Sequence, residues 1–271
     1  MSDPNERDAA DADPVLAYRD EAFLDSEAAR PIRILAEYLH PMETFRRCRV
    51  HDTIVFFGSA RIREGGPLGR FYDEARELAR LVTEWSNQIA SPAQRFLVCT
   101  GGGPGIMEAA NRGAVDAGGR TVGLNIGLPN EQRPNVYVTP ELSFEFHYFF
   151  MRKLWFAHMA CAMVVFPGGF GTLDEMFEML TLSQTRKLEQ EIPVLLYGSE
   201  YWNKLVDFQV LRENGMIDPE DLNLFQFVDS PTQALRLLQE RLGCQTKTAA
   251  PAFAGSATPE HPARNPKRRH P

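Results

Sequence analysis

Three times in this chain a short apolar run ends in a glycine-rich turn that opens onto helix-spaced apolar positions. The runs are residues 53–57, 96–99 and 162–166. Their turns are Gly58-Ser59-Ala60-Arg61, Gly101-Gly102-Gly103-Pro104-Gly105 and Pro167-Gly168-Gly169-Phe170-Gly171. An unbroken apolar run bounded by turn residues reads as a strand buried on both faces. Such strands, alternating with helices through short loops, predict an α/β fold: a Rossmann-like, doubly wound, mostly parallel sheet with helices on both faces. In that architecture a ligand sits beyond the carboxyl ends of the strands, where the strand order reverses. All three glycine turns emerge at that edge.

The rest of the chain keeps the same alternation, without an internal repeat. Residues 15–47 carry helical spacing interrupted by Pro31 and Pro41, with Ile32, Leu35, Ala36 and Leu39 as one apolar stripe. A long amphipathic helix is expected over 68–85 and another over 106–117, ended by Gly118-Gly119. Strands are expected at 121–126, 192–197 and 224–228, with a short one at 136–138. Residues 144–159 read as an aromatic-rich helix, apolar nearly all round and therefore buried. Helices near 201–213 and 231–242 complete the pattern, the last one stopping at Gly243.

The third turn carries the most chemistry. Glycines at 168, 169 and 171 let backbone N–H groups approach a ligand closely. A helix beginning at Leu173 adds partial positive charge, so the turn favours an anion such as phosphate. Thr172 and Glu175 also fit a capping box, with Glu175 reaching back to the Thr172 amide. The alternative is a Glu175 carboxylate pointing into the cleft, one helical turn from a bound phosphate. The dinucleotide fingerprint G-x-G-x-x-G/A is absent, because Ile106, Glu108 and Asp174 stand where its third position would fall. No G-x-x-x-x-G-K-[ST] loop occurs either, so a monophosphate is favoured over a triphosphate with magnesium.

Arg152 and Lys153 lie within the aromatic helix and need partners, since burying an unpaired charge is expensive. Two partners are open: internal carboxylates such as Glu108, or a substrate phosphate together with Glu175. His147 and His158, eleven residues apart, share a face of that helix as core or interface residues. No metal-ligand spacing accompanies them, and neither a metal nor a cofactor is expected.

Composition bounds the remaining classes. Of 271 residues 44% are hydrophobic and 24% charged, as in an ordinary globular protein. Residues 1–13 hold five acids and one Arg, whereas 245–271 are rich in Ala and Pro and end in a basic run. Neither segment has the apolar content to offset its ordering entropy. The expected organisation is a disordered acidic tail with a lead-in helix over 1–30, a single Rossmann-like nucleotide-binding domain over 31–244, and a disordered basic tail over 245–271. The net charge is −7. The tails offset one another, so the body is acidic and a nucleic-acid polymer is not expected as partner. Cys48, Cys99, Cys161 and Cys244 show no ligand spacing, and Cys99 and Cys161 fall in apolar patterns. Neither a leader pattern nor a run of membrane-spanning length occurs, so no membrane partner and a cytoplasmic location are expected.

Pro167-Gly168-Gly169-Phe170-Gly171-Thr172-Leu173-Asp174-Glu175 matches a PGGxGTxxE motif, and Met151-Arg152-Lys153 matches the RK motif upstream of it. Together they resemble the LOG ("Lonely Guy") family of nucleoside 5′-monophosphate phosphoribohydrolases, over residues 53–197. The longer ends, and Glu108 where short plant-type members have Gly, look more like a longer bacterial branch. The resemblance implies hydrolysis of AMP or a cytokinin riboside monophosphate to free base and ribose 5-phosphate. It implies Arg152 and Glu175 as the catalytic pair, with Gly168, Gly169, Gly171 and Thr172 around the 5′-phosphate. Lys153, Glu131 and Thr181 would assist substrate binding, and Ser59 and Gly102 would line the cleft. A nucleoside monophosphate and further copies of the chain, as a dimer or higher homo-oligomer, are the implied partners. A non-catalytic nucleotide or molybdenum-cofactor carrier is the alternative on this architecture. Family members are often labelled lysine decarboxylases, but the body holds only Lys153, Lys187 and Lys204, none in a recognisable pyridoxal-phosphate context.

Overall fold

The computed structural model describes residues 15–127, 133–188 and 191–245. After α1 (Glu21–Asp25) and α2 (Arg30–Cys48), the chain enters the alternating pattern. It runs β1 (Asp52–Phe57), α3 (Arg70–Gln88), β2 (Phe96–Thr100), α4 (Ile106–Asp116) and β3 (Thr121–Ile126). Next come β4 (Ser143–Phe146), α5 (Phe149–Met159), β5 (Ala160–Val165) and α6 (Phe170–Gln184). The last elements are β6 (Val194–Tyr197), α7 (Ser199–Leu205), α8 (Phe208–Glu213), β7 (Phe225–Val228) and α9 (Pro231–Gln245).

The strands form one seven-stranded sheet in the order β4-β3-β2-β1-β5-β6-β7, parallel at every pairing. The chain builds outward from β1 to β4 and then returns to the far side of β1 with β5. The order therefore reverses between β1 and β5, and the crevice beyond their carboxyl ends is the switch point.

Side-chain alternation along each strand feeds two cores. Ile54, Phe56, Ala162 and Val164 pack against α3, α4 and α9 through Phe71, Ala75, Leu78, Ile106, Ala110 and Leu238. Val55, Phe57, Met163 and Val165 pack on the other face against Phe45, Trp155, Phe156 and Met176. Both faces of the central strands are covered, which is why they read as continuous apolar runs rather than alternating ones. Gly113 lets α4 approach α3 closely: a Cβ there would stand 1.9 Å from the Arg76 carbonyl oxygen.

Several local expectations are corrected. Residues 143–146 are not helical but form edge strand β4, paired with β3 from Gly123↔Ser143 to Ile126↔Phe146. Phe144 and Phe146 are buried around an exposed Glu145, a period of two hidden inside an apolar run. The helix starts only at Phe149, so His147 lies outside it and shares no helical face with His158. Nor is that helix buried all round, since Phe149 and Phe150 are each 51% exposed. Residues 136–138 form a turn rather than a strand. Residues 201–213 split into α7 and α8, and α9 continues through Gly243.

Pro41 does not interrupt α2. An interior proline costs a helix about 3 kcal/mol, and burial of Pro41, Thr44 and Phe45 in the packed face of α2 opposes that cost. The apolar stripe also faces the other way from its expected position. Ile34, Met42 and Phe45 pack inward, whereas Ile32, Leu35 and Leu39 are exposed. Cys99 and Cys161 are buried, and burial pushes both thiols up. Among the described residues no helix is long and apolar enough to cross a membrane.

Candidate active site

The crevice is assembled by backbone bonds among the three glycine turns. The Ser59 amide donates to the Pro167 carbonyl at 3.0 Å, joining the turns after β1 and β5. The Ser59 carbonyl accepts from the Ile106 amide at 3.1 Å, joining the turn after β2. Gly105, at φ 72°, makes that approach possible, because a Cβ there would stand 2.3 Å from the Ser59 oxygen. The Ser59 hydroxyl accepts from the Arg61 amide at 3.1 Å.

α6 begins at Phe170, three residues earlier than the sequence suggests, so Thr172 lies inside the helix and caps nothing. The capping-box reading of Glu175 is thereby overturned. The amides of the first turn have no partner within the helix, and Phe170 is 92% exposed beside them. Gly168 is required by contact, since a Cβ there would meet Thr172 Oγ1 at 2.1 Å. Its carbonyl accepts from the Tyr201 hydroxyl at 2.7 Å, which anchors the turn to α7. Gly169 and Gly171 have open space where a side chain would stand.

Glu175 is buried, 3% exposed, one helical turn below that helix end. Its Oε1 accepts from Arg152 Nη2 at 3.0 Å, and its Oε2 lies 4.0 Å from Lys153 Nζ. Burial is the largest influence on Glu175 and raises its carboxyl above the ordinary range, while Arg152 and Lys153 pull it down. Arg152 lies over Phe149 and Phe156, 5.3 and 5.7 Å from the ring centres. Its Nη1 comes within 3.9 Å of the place a Gly101 Cβ would occupy, and its Nε is buried without a hydrogen-bond partner among the described residues. One guanidinium thus touches α5, α6 and the turn after β2. Glu108, one of the internal carboxylates left open as a partner, instead accepts from the Tyr72 hydroxyl at 3.0 Å.

Lys153 donates to Glu178 at 2.7 Å and pairs with Asp174 at 2.9 Å. Burial alone would pull its ammonium down, but the bonds to Glu178 and Asp174 and the charge of Glu175 hold it above the ordinary lysine value. A Schiff-base lysine needs the opposite shift.

Gly102, at φ 69°, lines the crevice with both backbone groups occupied. Its amide donates to Thr100 Oγ1 at 2.9 Å, and its carbonyl accepts from the Asn135 amide at 2.8 Å and side chain at 3.0 Å. Thr181 is not brought to the pair. It is exposed, its hydroxyl donates to the Phe177 carbonyl at 2.7 Å, and six residues of helix place it about 240° around the axis from Glu175. Glu131 lies outside the described residues. Among those described, no group of three or more His, Cys, Asp or Glu is arranged to hold a metal.

Sequence reasoning missed the polar clamp beneath these turns. Asn135 Nδ2 donates to the Gly102 and Gly103 carbonyls, each at 3.0 Å, and to Asn111 Oδ1 at 2.9 Å, which Thr100 Oγ1 also reaches at 2.8 Å. Asn125 closes the far side, 2.5 Å from where a Gly102 Cβ would stand, with its Nδ2 buried and without a partner among the described residues. The signal was present: Asn111 and Asn125 are amides within apolar helix and strand patterns, where a polar group needs a reason.

The family model described as "Possible lysine decarboxylase" matches residues 107–238. The cytokinin riboside 5′-monophosphate phosphoribohydrolase LOG3 of Arabidopsis thaliana is 24% identical over 210 residues, covering 76% of this chain and 90% of the relative. The phosphoribohydrolase of the same name from Rhodococcoides fascians is 31% identical over 119 residues, covering 41% of this chain and 56% of its own length. The chain is thus similar to LOG-family phosphoribohydrolases over most of its length. The solved structure of TM1055 shares the fold, with a TM-score of 0.53 at 22% identity, over 70% of this chain and 99% of that one. In this chain the RK and PGGxGTxxE motifs, on α5 and at the start of α6, meet through the Arg152–Glu175 ion pair.

Proposed function

We propose that the chain hydrolyses the N-glycosidic bond of a nucleoside 5′-monophosphate, of the AMP or cytokinin riboside monophosphate type, to free base and ribose 5-phosphate. The observation that carries this reading is the pairing of half-buried Arg152 with buried Glu175, one helical turn below an open, glycine-lined helix end at the switch point. The unbonded amides and partial positive charge of that end suit a phosphate. A ribose hung from it lies over the pair.

Breaking the C1′–N bond builds oxocarbenium character on the sugar, which a carboxylate beside it stabilises. Arg152 occupies one Glu175 oxygen, leaving Oε2 to accept a bond from a ribose hydroxyl or the incoming water. Water supplies the oxygen that joins C1′, and the base leaves with a proton on its ring nitrogen. Arg152 stays protonated throughout. Its work is to hold the carboxylate ionised and oriented despite burial. The names carried by the relatives in Arabidopsis thaliana and Rhodococcoides fascians support the same reaction.

The chain is also proposed to self-associate. The exposed Ile32, Leu35 and Leu39 of α2 and Phe149 and Phe150 of α5 form the apolar surface such an interface would cover. Size-exclusion chromatography with light scattering tests this, and a monomer at micromolar concentration refutes it.

A base-release screen over several nucleoside 5′-monophosphates, read by chromatography of the free base, tests the reaction. Release from at least one, abolished in Glu175→Gln, is expected. Binding of monophosphates without base release from any of them would replace the enzyme by a carrier.

A further inference from the structure

At the opposite edge of the sheet, before the amino ends of β1, β2 and β3, lies a cleft of about 550 Å³. Strands of five or six residues separate it from the crevice by about 15–20 Å. The volume falls within the range that holds small organic ligands, about 300–1,000 Å³. Arg49, Arg95, Arg120 and His51 line it, and no Asp or Glu among the described residues does. The chain as a whole carries a net charge of −7, so the cleft is opposite in sign to the molecule that bears it.

Among the described residues no carboxylate neutralises the three guanidiniums. Arg120 donates to the Cys48 carbonyl at 3.0 Å and Arg95 to the Ile89 carbonyl at 2.9 Å, so backbone bonds hold two of them at the rim. None of the three pairs with a described carboxylate, whereas Arg76, Arg80, Arg112 and Arg152 all do. His51 Nδ1 is buried in the same wall without a hydrogen-bond partner among the described residues. Like charges gathered in one concave surface repel one another, and a concave wall focuses their field on whatever enters. Beneath them Val50, Phe96 and Leu97 offer apolar surface.

We propose that this cleft is a second binding site, distinct from the crevice, for a small phosphorylated metabolite. Guanidiniums grip the phosphoryl oxygens as charge-assisted donors, His51 adds a ring nitrogen, and the apolar floor receives the organic part. The proposal is independent of the reaction assigned to Glu175.

Isothermal titration of the full chain with inorganic pyrophosphate at low salt tests it, in wild type, Arg152→Ala, Arg49→Ala and the double variant Arg49→Ala/Arg120→Ala. Arg49 and Arg120 are exposed, and Arg49 makes no side-chain hydrogen bond to a described residue, so its replacement leaves packing intact. Binding is expected to survive Arg152→Ala, to weaken in Arg49→Ala, and to weaken at least tenfold in the double variant. Thermal melts verify that each variant is folded. Pyrophosphate binding that is lost in Arg152→Ala, binding unchanged in Arg49→Ala and the double variant, or no binding up to about 1 mM pyrophosphate, overturns the proposal.

Discussion

Replacing Glu175 by Gln removes one charge while keeping the side chain's shape. The barrier should rise steeply: a carboxylate placed to orient water or stabilise a developing cation contributes about 10²–10⁴-fold, which is about 3–5.5 kcal/mol at 1.36 kcal/mol per decade. The effect on stability should be much smaller. Removing one partner of a buried pair costs about 3–5 kcal/mol when the other charge is left uncompensated. Here the amide oxygen still accepts from Arg152 Nη2, and loss of the charge relieves the desolvation that raises the Glu175 carboxyl. A net loss below about 2 kcal/mol follows, or about 4–8 °C in Tm for a chain of this size. Lys153 keeps Asp174 and Glu178, and the 168–172 turn is untouched. KM for the monophosphate should therefore move only a few-fold. The assay is steady-state base release beside a thermal melt. A folded Glu175→Gln protein that retains more than a tenth of wild-type kcat would refute the role given to this carboxylate.

The same group predicts two opposite pH dependences. Activity requires the carboxylate, so the acid limb of kcat/KM should lie above 4.5, the ordinary glutamate value, and a limb at or below it would contradict the burial argument. Stability runs the other way, because a raised native pKa means the folded chain holds the proton more tightly than the unfolded one. The contribution of Glu175 is fully present below 4.5 and is lost as pH rises through the native value; Glu175→Gln should flatten that slope in Tm measured against pH. Gly168→Ala forces the turn away from Thr172, whose Oγ1 and Cβ would stand 2.1 and 2.5 Å from the new methyl. It should raise KM for the monophosphate at least tenfold, and unchanged KM would show that the turn does not hold phosphate. Asn135→Ala strips donors from Gly102, Gly103 and Asn111 and should cost about 1–3 kcal/mol, read by urea denaturation, with a loss under 0.5 kcal/mol (roughly the scatter of neutral surface changes) counting against the clamp.

What local sequence determines here is whatever rests on short-range physics. Residues 53–57, 96–99 and 162–166 can bury their side chains only as interior strands, and the turns at 58–61, 101–105 and 167–171 need glycine at contacts where a Cβ would collide, at Gly58, Gly105 and Gly168. Fold class, the crevice edge and the anion-suited turn follow from those facts. The motifs at 151–153 and 167–175 marked the side chains that would meet, but not how they would meet.

Tertiary structure alone decided the rest, because its causes lie far apart along the chain. β3 turned residues 143–146 from an expected helix into a strand by offering a free edge to pair with. Arg152, 23 residues from Glu175, drew that side chain inward where the local pattern allowed it to cap its own helix. Asn135 reaches back 24 residues to Asn111 to stiffen a glycine turn. The cationic cleft joins residues from Cys48 to Arg120 that show no shared pattern until the strands lie side by side. Propensity and periodicity act within a turn or two of chain, whereas ion pairs, edge pairing and cavities depend on which surfaces the finished sheet brings together.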